Sequence, residues 1–156
     1  MRMLQSLYEQ HATALLRYLR RMFADAAAAE DVLQETFVRA AAKPERLEDA
    51  DCPRAWLFAV ARNVGLTQLR RRPCRPLPPA ATAPADADVD RRETAEQVWA
   101  AIERLPTEMR ETLELRLRDD LSYAEIAVVL EIPVGTVRSR LHHAVRKLRG
   151  ELEAGQ

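Results

Sequence analysis

Lysine, glycine, cysteine, histidine and aromatic residues are all scarce in this chain of 156 residues, and long apolar runs are missing. The two cysteines, Cys52 and Cys74, are too few for a disulfide framework, and His11, His142 and His143 add no zinc-ligand spacing, which makes a reducing cytoplasm the expected compartment. Four glycines leave no glycine-rich phosphate loop, and no Ser/His/Asp arrangement stands out. His142 and His143 are adjacent, about 100° apart on a helix, and make a poor metal pair. An enzyme is therefore not expected, nor is a cofactor or metal. No stretch reaches the roughly 18 apolar residues of a membrane span. Met1 to Arg21 is broken by Glu9, His11, Arg17 and Arg20, so no secretion signal or membrane insertion is expected. Alanine supplies 26 residues of the 47% hydrophobic content, and aromatics only 5%. The large side chains suffice for one ordinary domain or two small ones of modest stability. With six residues after Gly150, no further C-terminal domain is expected.

The formal net charge is zero, but the charge is unevenly placed. Arg54 to Arg75 carries six arginines and no acid, and Val134 to Gly150 carries five basic residues and no acid. Asp25 to Asp51 has eight acids against three bases, and Thr107 to Glu131 seven against three. Two local basic patches are compatible with nucleic-acid binding despite the neutral total. Of the 24 basic residues 22 are arginine, suited to bidentate bonding with phosphate and guanine; genomic base composition explains that excess equally well.

Apolar spacing predicts helices throughout and no strand alternation, hence an all-α fold of two small bundles. The first helix covers Met3 to Met22, with Leu4, Leu7, Leu15, Leu19 and Met22 recurring beside Tyr8 and Tyr18. The second runs from Ala26 to Ala42, with Ala29, Val32, Leu33, Thr36, Phe37 and Ala40 on one face and Asp31, Gln34, Glu35 and Arg39 on the other. Pro44 ends it, and a polar loop leads to Pro53, which suits the first turn of a helix reaching Arg72. The apolar face expected there is Trp56, Leu57, Val60, Ala61 and Val64, with Arg54, Phe58, Arg62 and Asn63 on its flanks. Pro73 to Asp90 is rich in proline and alanine and has nothing to bury, so 73–92 reads as a flexible linker between domains at 1–72 and 93–150. Four more helices are expected at Glu93 to Arg104, Thr107 to Asp119, Ser122 to Leu130 and Val134 to Leu152. The second of these has Met109, Leu113 and Leu117 in register.

Ser122 to Arg149 reads SYAEIAVVLEIPVGTVRSRLHHAVRKLR. Ser122 and Glu125 have capping-box spacing before a short helix, and a turn and a basic helix follow: a helix-turn-helix signature. Ile126, Ala127 and Leu130 pack the first helix, Pro133 and Gly135 shape the entry to the second, and Val137, Leu141 and Val145 face inward. Arg138, Ser139, His142, His143 and Arg146 face outward, where the early turns of a recognition helix enter the major groove, and Thr136 and Arg140 can clamp phosphates.

AEDVLQETFVRAA (29–41), PRAWLFAVARN (53–63) and the C-terminal stretch together resemble the extracytoplasmic-function (ECF) sigma factors of bacterial RNA polymerase. The resemblance implies a region-two domain, a linker and a region-four domain, with core RNA polymerase and promoter DNA as partners and an anti-sigma factor as restraint. It assigns Asp31, Gln34 and Glu35 to the polymerase clamp helices; these polar groups share a helix face and can pair with arginines. It assigns the helix from Arg54 to melting and holding the minus-ten strand, with Arg62, Asn63, Arg70, Arg71 and Arg72 as backbone donors and the loop from Lys43 to Cys52 at the place of a captured base. Trp56 reads as core and is left out of the DNA contacts. Region four would read the minus-35 element through Thr136, Arg138, Ser139, Arg140, His142, His143 and Arg146. The chain departs from many relatives at Thr67, where they have aspartate, and at His143, where they have arginine. Histidine has a different reach, and its charge depends on pH near neutrality. Cys74, among Arg70, Arg71, Arg72 and Arg75, has surroundings that favour a thiolate, although a bystander thiol is the plainer reading. Two other functions fit parts of the sequence: a stand-alone helix-turn-helix regulator, and a pure interaction module that occupies polymerase.

Overall fold

A computed structural model describes residues 2–71 and 89–155. The elements are α1 (Arg2–Met22), α2 (Ala26–Ala42), α3 (Pro44–Glu48), α4 (Pro53–Arg71), α5 (Val89–Glu103), α6 (Thr107–Leu117), α7 (Tyr123–Leu130) and α8 (Val134–Ala154), with no strand among the described residues. Arg72, Cys74, Arg75 and most of the expected linker lie outside them. The expected linker and α5 differ at their junction, because the helix begins at Val89 rather than Glu93. The polar loop expected after Pro44 is also partly helical: Pro44 occupies the first turn of α3, where its missing N–H costs nothing, and Leu47 is buried beneath it.

By contacts, α1 to α4 form one compact unit together with residues 124–131, and α5, α6 and α8 belong to a second. In the first unit α1, α2 and α4 pack pairwise around one core. α2 follows its apolar period closely: Ala29, Val32, Leu33, Thr36, Phe37 and Ala40 are all buried. The one polar member, Thr36, donates its hydroxyl to the Val32 carbonyl at 2.7 Å, so no polar group is left unsatisfied there. Asp25 caps the helix, accepting from the Ala27 amide at 3.0 Å, a contact of about 1 kcal/mol.

α4 is turned further than its spacing predicts. Ala55, Leu57, Phe58, Ala61, Val64 and Gly65 are buried, while Trp56 and Val60 are only partly so. Phe58, expected on a flank, is fully buried with its ring 5.4 Å from that of Tyr18. The cause is two-sided packing: α4 meets both α1 and α2, so its buried arc is wider than one stripe. Gly65 permits a close approach, since a Cβ there would lie 3.1 Å from Met22 Sδ.

In the second unit α8 packs against α5 and α6. Arg110, which stands where a capping box would have glutamate, donates from Nη1 to the Glu103 carbonyl at 3.2 Å and so caps the end of α5. Two apolar expectations fail here. Leu117 is 55% exposed while Leu115 is buried, because the buried set of α6 is Thr112, Leu113 and Leu115 rather than one residue in four. Val145 is 41% exposed, and Ala144 takes the inward place after Leu141, three residues on rather than four. The left-handed residue after α7 is Glu131, with φ 55°, whereas Gly135 lies inside α8 without positive φ.

Candidate nucleic-acid interface

α8 presents the clearest candidate face. Val137, Leu141 and Ala144 anchor it inward, which leaves Arg138, Ser139, His142, His143 and Arg146 exposed on an arc of about 140°. His142 and His143 meet edge to face, ring centroids 5.6 Å apart. A shallow hollow of about 310 Å³ is lined by His143, Arg146, Lys147 and Met109, adding Lys147 to the face read from sequence. Thr136 is half-buried, its amide bonded to the Pro133 carbonyl at 3.0 Å. Arg140 turns away from the arc: its guanidinium lies 3.4 Å from the Glu108 carboxylate and is 22% exposed. Spacing along α8 could not reveal this partner, which comes from α6.

In the first unit α2 presents Asp31, Gln34 and Glu35 to solvent together. Glu35 already accepts from Arg39 Nε at 2.8 Å, so Asp31 is the carboxylate of the trio with no ion pair among the described residues.

α4 exposes Asn63, Arg70 and Arg71, with Arg62 half-buried. The two terminal arginines also face the negative end of the helix dipole. Thr67 donates its hydroxyl to the Asn63 carbonyl at 2.8 Å, satisfying its own helix. Asn63 opens onto a cavity of about 450 Å³ with Arg39, Lys43, Arg46, Trp56 and Val60, and with Val128 and Glu131 of the same unit. Trp56 therefore is not sealed core: it is a half-exposed aromatic among three cations. The spacing of Trp56, Val60 and Asn63 at i, i+4 and i+7 was the signal that could have placed them on a second face. Cys52 Sγ lies 3.2 Å from Glu125 Oε1 in the same unit. Burial first, then the Arg54 guanidinium, holds the His11 imidazole below the usual histidine range, with Glu125 opposing. Among the described residues no cluster of histidine, cysteine and carboxylate side chains is arranged for a metal, and no helix is long and apolar enough to cross a membrane.

Comparison with known proteins places the chain in a family. Residues 7–73 match the family profile described as Sigma-70 region 2, and residues 95–148 that of Sigma-70, region 4. The ECF RNA polymerase sigma factor SigL of Mycobacterium tuberculosis is 38% identical over 161 residues, covering 97% of this chain and 89% of the relative. The chain is an ECF RNA polymerase sigma factor. ECF sigma factor SigC of the same species is 37% identical, covering 83% of this chain and 72% of its own. Among solved structures, RpoE bound to the anti-sigma factor NepR from Bartonella quintana superposes over both whole chains with a TM-score of 0.74 at 22% identity, a likeness of fold. CnrH in complex with the cytosolic domain of CnrY gives 0.65 at 28% identity, over 99% of this chain and 90% of that one. As a sigma factor the protein is a non-catalytic subunit that binds core RNA polymerase and directs it to promoters, and its region four carries the helix-turn-helix.

Proposed function

We propose how this sigma factor divides its work among its residues. α2 joins core polymerase through Asp31, Gln34 and Glu35. α8 enters the minus-35 major groove with Arg138, Ser139, His142, His143 and Arg146, while Thr136, and Arg140 once Glu108 releases it, hold phosphates beside it. α4 opens the minus-ten element, with Arg62, Asn63, Arg70 and Arg71 along the strand. The observation that carries this reading is the α8 arc: five exposed donors on one helix whose inner side is pinned by Val137, Leu141 and Ala144. Duplex binding by this arc alone is weak and salt-sensitive, and polymerase supplies the fixed spacing that makes it selective.

The factor works in the cytoplasm, where polymerase is, and an anti-sigma partner restrains it; CnrH, 28% identical, is captured in complex with the cytosolic domain of CnrY. His143 gives it a minus-35 preference unlike that of arginine-bearing relatives. The test is transcription by purified core polymerase on fragmented genomic DNA, with starts mapped with and without the protein. Discrete new starts sharing two spaced upstream elements are expected. Polymerase binding without new starts would refute the assignment of the DNA faces, and identical preferred bases for the native protein and His143→Arg would refute the role of His143.

A further inference from the structure

Among the described residues the most exposed large hydrophobic side chain is Val38, at 62%. It lies on α2, seven residues after Asp31, and at about 100° per residue it sits within roughly 20° of Asp31 on the helical wheel and between the directions of Gln34 and Glu35. Its side chain contributes nothing to the core, and a β-branched residue is a poor choice for helix propensity at a solvated position. Lone exposed valines are ordinary on protein surfaces. This one occupies the middle of the stripe assigned to polymerase, with exposed Ala41 and Ala42 one turn further on.

The stripe thus changes character along its length. Its first two turns present an unpaired carboxylate, Asp31, and the amide of Gln34. Next comes Glu35, whose charge Arg39 largely cancels at 2.8 Å. The last turns are apolar. A partner held by charge alone would be served by the first half only. We propose that Val38 is the apolar anchor of the polymerase interface: it inserts against an aliphatic side chain of the polymerase segment that sets its basic residues opposite Asp31 and Glu35. The inference rests on the assignment of this α2 face to core polymerase. It adds that desolvation of Val38, rather than the Glu35 charge, supplies the larger share of the affinity, because a neutralised, exposed ion pair contributes little and a buried valine contributes substantially.

The experiment measures the dissociation constant of the full-length protein for purified core polymerase by competition with the labelled native chain. The variants are Val38→Ala, the near-isosteric Val38→Thr, Asp31→Asn and Glu35→Gln. An exposed site makes all four compatible with folding, which circular dichroism confirms. Val38→Ala and Val38→Thr are each expected to weaken binding by about tenfold, and Glu35→Gln by less than threefold. Loss of affinity in Asp31→Asn with native affinity in both Val38 variants would overturn the inference and leave the face intact. Native affinity in all four would overturn the face itself, and the inference with it.

Discussion

Glu131 and Gly135 stand four residues apart around the turn of the helix-turn-helix, and each occupies the place suited to the other. Glu131 has φ 55°, a left-handed conformation that costs a residue with a Cβ about 1–2 kcal/mol. Gly135 is the second residue of α8, and a Cβ added to it would meet nothing within 4 Å. Glu131→Gly relieves the strain and gives back roughly 0.5–1 kcal/mol in backbone entropy, for a net gain of about 0.5–1 kcal/mol. Gly135→Ala gains about 0.4–1 kcal/mol by restricting the unfolded chain. The double variant should gain about 1–2 kcal/mol if the effects add. Urea unfolding followed by circular dichroism, which registers the helices of both units, reads the two substitutions. With an m-value near 1 kcal/mol per molar urea for so small a domain, the double variant should move the midpoint by about 1–2 M. Glu131→Ala removes the same charge and keeps the Cβ, so it should give none of the gain. Equal midpoints for Glu131→Gly and Glu131→Ala would refute the reasoning, since charge rather than handedness would then be responsible.

Three residues elsewhere carry further expectations. His11 is held below the ordinary value of about 6.5. The unfolded chain therefore takes up the proton first as pH falls, and stability, complete above about pH 6.5, declines from there toward the depressed folded value. Urea midpoints against pH should flatten across that window in His11→Gln, and an unchanged slope would remove His11 from the account. Glu108→Gln frees Arg140 and should steepen the log–log salt dependence of duplex binding by about 0.9, the signature of one more phosphate contact; an unaltered slope would mean Arg140 does not reach DNA. At Gly65, alanine asks only the flexible end of Met22 to yield, so gained helix propensity roughly offsets crowding, whereas Gly65→Val overpacks the site and should cost about 1–3 kcal/mol. Thermal unfolding that finds valine as well tolerated as alanine would contradict the close approach of α1 and α4.

How far the sequence could be read depended on how many neighbours each helix has. α2 has a clean apolar stripe, and its buried residues coincide with the spacing. α4 packs on two partners, so a one-stripe reading misplaced Phe58 and Trp56. Short helices are harder still. α3 is only five residues long, less than two turns, and carries no period to detect. The turn hides a different feature: glycine is the residue ordinarily found at positive φ, and nothing in the identity of Glu131 announces that it accepts that strain.

The site was legible to the same depth. Spacing on a single helix reveals a shared face, and it grouped Arg138, Ser139, His142, His143 and Arg146, all of which are exposed together. It says nothing about partners from other elements, and those decide which charges remain available. Arg140 belongs to the same run of α8 but is engaged by Glu108 from α6, while Glu35 is engaged within its own helix by Arg39. A cation already paired and three-quarters covered gains less from a phosphate than one open to solvent, because its existing partner must first be released. Of the arginines in the recognition helix, Arg138 and Arg146 should therefore dominate duplex affinity, and Arg140 should matter only after Glu108 is displaced. Alanine substitutions at the three, compared in the native and Glu108→Gln backgrounds, separate the two situations: Arg140→Ala should weaken duplex binding markedly only in the second, and an equal loss in both would show that the ion pair places no restraint on Arg140.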